Sequence, residues 1–407
     1  MKRRRLRAIV VAAAAALGLS AGAMAPAHAA ATGWNRCPKG SFCLFDGLNG
    51  TGSMIAYTSS HSSLGSWDNK ADSVYNRTGM HAVSMYSLPG YRYDDPVHDV
   101  VVNWDDSGES QLNLDGFADA NSHMLNNLSS FRLAHTAREA EGGPEYLQWQ
   151  DPTWSSGGSG LAFSDLNNDG NSDMLLRTWS GKLWYLPGDG SGTLIGSGWN
   201  AMSALTRHGD FTGEGSEDLL ARDTTGKLWL YPGNGRGAFT SRKLIGSGWN
   251  AMSALQAAGD LTGDGKDDLL ARDTTGKLWL YPGNGRGAFT TRKLIGSGWN
   301  AMRAFAAPGD LNGDRRNDLV VSDSAGKLWL YPGNGKGAFT TRKALGASGW
   351  GRFDTLLGSH YSGGSRPDLL AIAPPEDGVV FLYESRSGGT LAAGQYIDYI
   401  ETGDKLL

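Results

Sequence analysis

From about residue 145 onward the chain is written in short apolar runs separated by polar breaks. Between residues 252 and 298 the runs are MSALQAAG, DLLARD, KLWLYPG and TRKLIGSG, each closed by Gly, Asp, Asn or Thr. Runs of this length with turn residues at both ends predict strands. The set then repeats: GKLWLYPGNG begins at Gly226, Gly276 and Gly326, and GKLWYLPGDG at Gly181. SGWNAM begins at Ser197, Ser247 and Ser297, and a degenerate copy stands at Ser348-Gly349-Trp350. The period is 50 residues, with a first spacing of 45. A repeat of this size is a unit that cannot bury its apolar face alone and must stack on its neighbours. Four short antiparallel strands per unit make a propeller blade. Counting from the acidic stretch of each unit gives starts at Asp165, Asp210, Asp260 and Asp310 and a worn fifth at His360. The expectation is an all-β protein whose residues 145–407 form a β-propeller of about five four-stranded blades.

Closing such a ring requires the two ends of the repeat region to share a blade. EYLQWQ (145–150) and FLYESRSGGTLAAGQYIDYI both supply strand-like runs, and the sequence leaves open which strand is exchanged. Residues 33–135 carry neither the period nor the acidic stretch and read as a separate domain, joined by a polar Gly/Pro linker over 136–144. Residues 1–29 (MKRRRLR, then AIVVAAAAALGL, then Ala27-His28-Ala29) have the form of a secretory signal peptide. No later apolar segment approaches the ~20 residues that span a bilayer. The protein is therefore expected to be secreted, extracellular and without a membrane span.

Composition sharpens this picture. The chain has 59 glycines in 407 residues, twice the ordinary share of about 7%, as an array of tight turns demands. Without residues 1–29 there are 32 Lys and Arg against 41 Asp and Glu, a charge of −9. That balance argues against a nucleic-acid partner, whose binding needs clustered basic residues. The acidic residues are not scattered. Four loops place oxygen-bearing side chains at positions 1, 3, 5 and 9: Asp165, Asn167, Asp169, Asp173; Asp210, Thr212, Glu214, Asp218; Asp260, Thr262, Asp264, Asp268; and Asp310, Asn312, Asp314, Asp318. Position 7 (Asn171, Ser216, Lys266, Arg316) would add a backbone carbonyl. Six to eight hard oxygens at flexible angles suit Ca²⁺, and a run of Asx turns that binds nothing is the competing reading. Four Ca²⁺ would bring the charge from −9 to −1. The sites differ: Glu214 is longer than Asp, and Arg315 replaces the position-6 glycine. At His360 the template is lost except for Asp368, so no metal is expected there.

The pattern D-x-[DNT]-x-[DE]-G-x-x-D followed by an apolar strand and PGNGxGAF resembles the FG-GAP or VCBS-type repeats of integrin-like propellers. That resemblance covers about 145–407 and implies calcium in the turn between the first two strands of a blade. In the N-terminal region, CPKGSFCLFDGLNGTGSMIAY and VSMYSLPGYRYDD look like two Greek-key motifs. Cys37 and Cys43, with five residues between them in an exported chain, predict a local disulfide. Together these features resemble the secreted bacterial metallopeptidase inhibitors with a βγ-crystallin-like fold. The crystallin signature is altered: Gly50 stands where an aromatic would follow Phe45, and Tyr93 where Gly would follow Tyr86 and Tyr91. The related calcium pattern is broken at Asp72 and at Leu125.

No HExxH, GxSxG, P-loop or Cys/His pair is present, so no catalytic residue is expected. The favoured reading is a secreted non-catalytic binding protein, a calcium-stabilised propeller carrying a peptidase-inhibitor-like head whose partner is an extracellular protein such as a peptidase. The alternative is a carbohydrate- or cell-wall-binding lectin, and a hydrolase comes last. For the lectin reading the recurrent Trp199, Trp249, Trp299 and Trp350 are candidate ligand-binding residues, with packing between blades as the competing reading, whereas Trp229, Trp279 and Trp329 are expected in the core.

Overall fold

The computed structural model describes residues 33–80, 82–91, 100–103, 110–114, 126–134, 147, 164–360, 366–373, 378–400 and 404–407. The signal segment, the linker over 136–144, Tyr93 and Leu125 lie outside the described residues, as does EYLQWQ apart from Leu147. The chain divides into two compact units, Met1–Glu145 and Tyr146–Leu407.

In the first unit, Phe42–Gly47 pairs antiparallel with Thr51–Tyr57 on one side and Ser73–Asn76 on the other. Ser110–Asn113, from the second half of the unit, adds to the edge of that sheet. The second sheet holds Val100–Asn103, Ala82–Tyr86 and Ser130–Ala134. His61, from the first half, forms a bridge to Phe131 in this sheet. Each half thus lends a segment to the other's sheet. Phe42, Leu44 and Val74 from one sheet meet Val83, Met85 and Phe131 from the other, all fully buried. Each such side chain contributes about 1.5–3 kcal/mol on burial. Cys37 and Cys43 are joined in a disulfide, Cα to Cα 5.8 Å. Beside it Trp34 packs edge-on to Phe45 at 5.3 Å and to Tyr75 at 6.0 Å. Gly50 has φ 70°, and a Cβ there would lie 2.7 Å from the Trp34 ring. The Trp34 contact is the physical reason that glycine stands where the motif would carry an aromatic.

The second unit contains five four-stranded antiparallel sheets among the described residues. The third is typical: Met252–Ala257, Leu269–Asp273, Leu278–Tyr281 and Lys293–Gly296 follow one another in space as in sequence. Along LWLY the side chains alternate, with Leu278 and Leu280 buried and Trp279 and Tyr281 half-buried, as a period of two requires. The second sheet (Met202–Thr206 to Lys243–Gly246) and the fourth (Met302–Gly309 to Lys343–Gly346) repeat the plan. The fifth runs Thr355–Ser359, Asp368–Ile372, Val379–Tyr383, Gln395–Tyr399. It keeps its sheet although its acidic loop is lost.

Packing joins the sheets in a cycle. Leu175 and Leu183 of the first sheet meet Leu219 and Ala221 of the second, whose other face packs Leu220, Leu228 and Leu230 on Leu269 and Ala271. Leu270, Leu278 and Leu280 then meet Leu319 and Val321, and Val320, Leu328 and Leu330 meet Leu369 and Ala371. Finally Leu370, Ile372, Val380 and Leu382 pack against Met174, Leu176 and Leu186 of the first sheet, with Leu147 and Leu406 in the same cluster. The strand that closes the ring is Lys405–Leu406. It pairs with Met174–Arg177, in the place that the other sheets give to the strand before their acidic loop. Leu407 exchanges backbone hydrogen bonds with Leu175 at 2.8 and 3.1 Å.

Candidate functional site

Three of the acidic loops, from Asp210, Asp260 and Asp310, join the first and second strands of a sheet, the loop from Asp165 leads into Met174–Arg177 of the first sheet, and in each the first aspartate organises the turn. Asp260 Oδ1 accepts the N–H groups of Gly263 (2.6 Å) and Asp264 (3.2 Å) and the Thr262 hydroxyl (3.2 Å), while Oδ2 accepts Gly265 N–H at 2.7 Å. Asp210 does the same with Gly213, Glu214 and Gly215, and Asp310 with Gly313, Asp314 and Arg315. Asp165 accepts from Asp169 and Gly170. Arg315 takes φ 66° where two other loops have Gly215 and Gly265 at φ 83° and 78°, so this loop holds a left-handed non-glycine residue, an uncommon conformation for arginine.

The ninth-position aspartate faces inward. Asp268 is fully buried. Its Oδ2 accepts from Leu261 and Thr262 at 3.0 Å each, and its Oδ1 from Gly283 at 2.9 Å. It thus ties the loop to the hairpin after the third strand. Asp218 reaches Thr212 and Gly233, Asp318 reaches Leu311, Asn312 and Gly333, and Asp173 reaches Leu166 and Asn167 and accepts the Tyr185 hydroxyl. Burial pushes these carboxyls up, to about 6 for Asp218 and Asp268, about 7 for Asp318 and about 8 for Asp173. Asp368, the surviving carboxylate of the worn fifth unit, accepts Ser385 N–H at 2.9 Å. The ninth carboxylate therefore has a folding role that outlasts the rest of the template.

Among the described residues no three His, Cys, Asp or Glu side chains are gathered closely enough to hold a metal ion. At the exposed ends of the loops some of the oxygen-bearing side chains meet: the Thr212 and Thr262 hydroxyls donate to Asp210 and Asp260 at 3.2 Å, and Asn167 Nδ2 donates to Asp169 Oδ2 at 2.8 Å. The amide N–H of position 7 in three loops (Asn171, Lys266, Arg316) donates to the position-5 carboxylate. Ser216 Oγ instead stands 3.5 Å from Asn168 Nδ2 of the neighbouring loop. Asn312 Nδ2 donates to Asp318 Oδ1 at 3.2 Å. Backbone amides take three of the roughly four acceptor sites of Asp268, so the ninth position has one left to offer a cation.

The eighth loop position differs in every repeat, and it links neighbouring loops. Asn317 Nδ2 donates to Asp260 O at 3.3 Å and Asp267 accepts Asp210 N–H. In the second repeat Glu217 instead holds Arg207 by two 2.8 Å bonds, with side chains 8% and 2% exposed. Arg207 also donates to the carbonyls of Ser164 (2.9 Å), Asp173 (3.0 Å) and Leu407 (3.2 Å). Ser164 Oγ and His208 Nδ1 are 2.9 Å apart in the same buried cluster.

A second recurrent feature lies on the outer rim, between the end of one sheet and the face of the next. Trp299, seated after the third sheet, packs on Tyr331 of the fourth at 4.9 Å, and Tyr331 on Phe339 at 6.0 Å. With Ile295, Met302, Thr340 and Arg342 they line a cleft of about 450 Å³. The same rings recur as Trp199–Tyr231–Phe239 (4.9 and 6.3 Å) and Trp249–Tyr281–Phe289 (4.7 and 6.1 Å). Trp350–Tyr383 repeats the first contact at 4.6 Å. Arg242, Arg292 and Arg342 lie over Trp229, Trp279 and Trp329 at 4.2, 4.1 and 4.0 Å. Each donates to the cleft tyrosine's hydroxyl at 3.0–3.1 Å.

The two tryptophan sets sit differently in the sheets. Trp199, Trp249, Trp299 and Trp350 are buried in the inter-sheet clusters and show the clefts only an edge. Trp229, Trp279 and Trp329 are half-buried and outside those clusters, their Nε1–H groups donating to Asp223, Asp273 and Asp323. Strand alternation explains the second set: with Leu228 and Leu230 facing inward, Trp229 faces the other way. The tyrosines, phenylalanines and arginines of the clefts were not singled out from the sequence. Their signal was the recurrence of YPGNGxGAFTxRK, which carries the repeat and its resemblance in the sequence but does not read there as a binding surface.

Comparison with known proteins agrees with the resemblances drawn from the sequence. Residues 30–96 match the model of peptidase inhibitor family I36, and residues 210–271 and 260–321 match that of the FG-GAP-like repeat. No curated protein matches the chain significantly. Solved structures similar to it include a lectin of Agrocybe aegerita that recognises non-reducing terminal N-acetylglucosamine (22% identity, 58% of this chain and 65% of that one, TM-score 0.37). Others are the BP39L lectin of Burkholderia pseudomallei (15%, 57% and 69%, 0.35) and a Dos1 propeller (11%, 57% and 73%, 0.31). The chain spans less than two thirds of the Agrocybe lectin. Likenesses this slight leave function to be argued from the residues themselves. Among the described residues no helix is long and apolar enough to cross a membrane.

Proposed function

We propose that this is a secreted, non-catalytic binding protein whose propeller holds glycans in its rim clefts and whose head engages a peptidase. The observation that carries the propeller half is the threefold Trp–Tyr–Phe–Arg cleft. Aromatic walls suit the C–H face of a sugar ring, and tyrosine, threonine and arginine supply polar groups for its hydroxyls. A volume of about 450 Å³ lies within the ~300–1,000 Å³ of small-molecule sites. One cleft of this openness binds weakly, and three on one rigid body gain by avidity for a polymer. The head's role rests on the match of residues 30–96 to an inhibitor family.

Calcium belongs to the same proposal as a stabilising ion. The position 1, 3 and 5 side chains and the position-7 carbonyl of each loop would hold it, joined in the third loop by the remaining acceptor site of Asp268. Bound there, it would offset the loop's negative charge and fix the turn.

A glycan array probed with the full chain in calcium tests the propeller half, and a blank array refutes it. Titration of the full chain against secreted metallopeptidases tests the head, and unchanged activity at stoichiometric excess refutes that half.

A further inference from the structure

Building on the glycan reading, we infer that the three arginine-bearing clefts select acidic saccharides, sugars that carry a carboxylate or phosphate. Arg242, Arg292 and Arg342 are solvent-exposed, yet each is held by a tryptophan face and a tyrosine hydroxyl. None forms an ion pair among the described residues. A guanidinium has five N–H donors in a rigid fork matched to carboxylate and phosphate, and the tyrosine takes one. The remaining donors are pre-oriented, so little entropy is lost when an anion docks. Lys243, Lys293 and Lys343 follow directly and are also exposed.

The wider charge distribution has the same sign. Outside the four loops 165–173, 210–218, 260–268 and 310–318, residues 145–407 hold 22 Lys and Arg against 14 Asp and Glu. The acidity of this unit is thus concentrated in the loops, and the strands and rim are basic. The fold also contains its own comparison. The register that pairs Leu230 with Lys243 pairs Leu382 with Gln395, so Gly394 stands where Arg242 does. The Trp350–Tyr383 junction keeps the aromatic contact, and its guanidinium comes from elsewhere in the chain: Arg352 lies over Phe353 and Phe381 at 4.7 and 5.2 Å. Arg242, Arg292 and Arg342 differ from it in the hydrogen bond that each gives the cleft tyrosine.

The test is binding of the full chain to matched acidic and neutral glycans, polygalacturonate against its methyl ester and sialylated against asialo-lactosamine, alongside the triple variant R242Q/R292Q/R342Q. We expect the acidic member of at least one pair to bind about tenfold or more tightly, the size of one charge-assisted hydrogen bond. The preference should shrink when salt rises from about 50 to about 500 mM, as screening requires, and vanish in the triple variant while its melting temperature stays unchanged. Equal binding of both members of each pair, or a preference that survives in the triple variant, overturns the inference and leaves the glycan reading standing. No binding to any glycan on the array removes both.

Discussion

Replacing Glu217 by glutamine tests how the ring is fastened where its ends meet. Arg207 is 2% exposed and keeps its charge in the variant, together with bonds to the carbonyls of Ser164, Asp173 and Leu407. What it loses is the bidentate carboxylate. Removing one partner of a buried ion pair costs about 3–5 kcal/mol because the other charge stays behind, and the three carbonyls place this case near the lower end. For a unit of this size 1 kcal/mol moves the midpoint by about 2–4 °C, so E217Q should melt at least about 6 °C below the parent. The neighbouring repeats supply the control. Ala307 and Asn317 occupy the corresponding positions of the fourth repeat, so R207A/E217N copies a pair that the fold already tolerates, and it should recover most of the loss. The cycle is read by thermal and urea unfolding of the full chain. Burial opposes ionisation of Glu217, but Arg207 and His208 outweigh it and hold the carboxyl well below the usual range. A depressed carboxylate contributes its full stability above the unfolded pKa of about 4.3 and loses it as pH falls. The gap between parent and E217Q should therefore be constant above about pH 5 and narrow in acid. A midpoint for E217Q within about 2 °C of the parent, or a double variant as unstable as the two losses added, refutes the reasoning.

Chelation should lower the unfolding midpoint of the propeller, since a site at tenfold excess of calcium over Kd adds about 1.4 kcal/mol; an unchanged midpoint with no metal detected by mass spectrometry leaves only hydrogen-bonded turns. D368N, in the loop where no calcium is expected, should destabilise by about 1–3 kcal/mol whether or not chelator is present, and a loss that appears only with calcium would contradict the folding role. W299A should cost about 3–5 kcal/mol, measured by urea unfolding, and a cost under about 1 kcal/mol would show that the ring is not part of the core. C37S/C43S should lower head stability by about 2–3 kcal/mol, read as a shift of the head's own transition in calorimetry.

The repeats were legible because each turn, strand and loop recurs at one spacing, and the observed strands of the third sheet fall within the four runs read from the sequence. Roles that depend on which way a side chain faces were harder to read. Asp268 and Asp260 look alike in GDLTGDGKDDLL, yet one is buried among backbone amides and the other organises an exposed turn. Trp229, Trp279 and Trp329, expected in the core, are half-buried on the strands, because recurrence does not show which way a strand residue faces. Lys405–Leu406 was illegible as a strand, since two residues carry no periodicity. Arg207 and Glu217 were invisible for the opposite reason: they occur once, and a search for recurrence passes over whatever breaks it.

Each rim cleft is assembled from the end of one repeat and the face of the next, which makes the junction, and not the repeat, the heritable unit. The second and third repeats are identical at 42 of 50 positions (202–251 against 252–301), a condition that favours unequal recombination in the coding DNA. Gain or loss of one 50-residue segment there would add or delete one sheet together with one finished cleft, with no half-built intermediate exposed to selection. The number of clefts is then free to change quickly within a lineage, limited by how many sheets the closing strand can still bring into a ring.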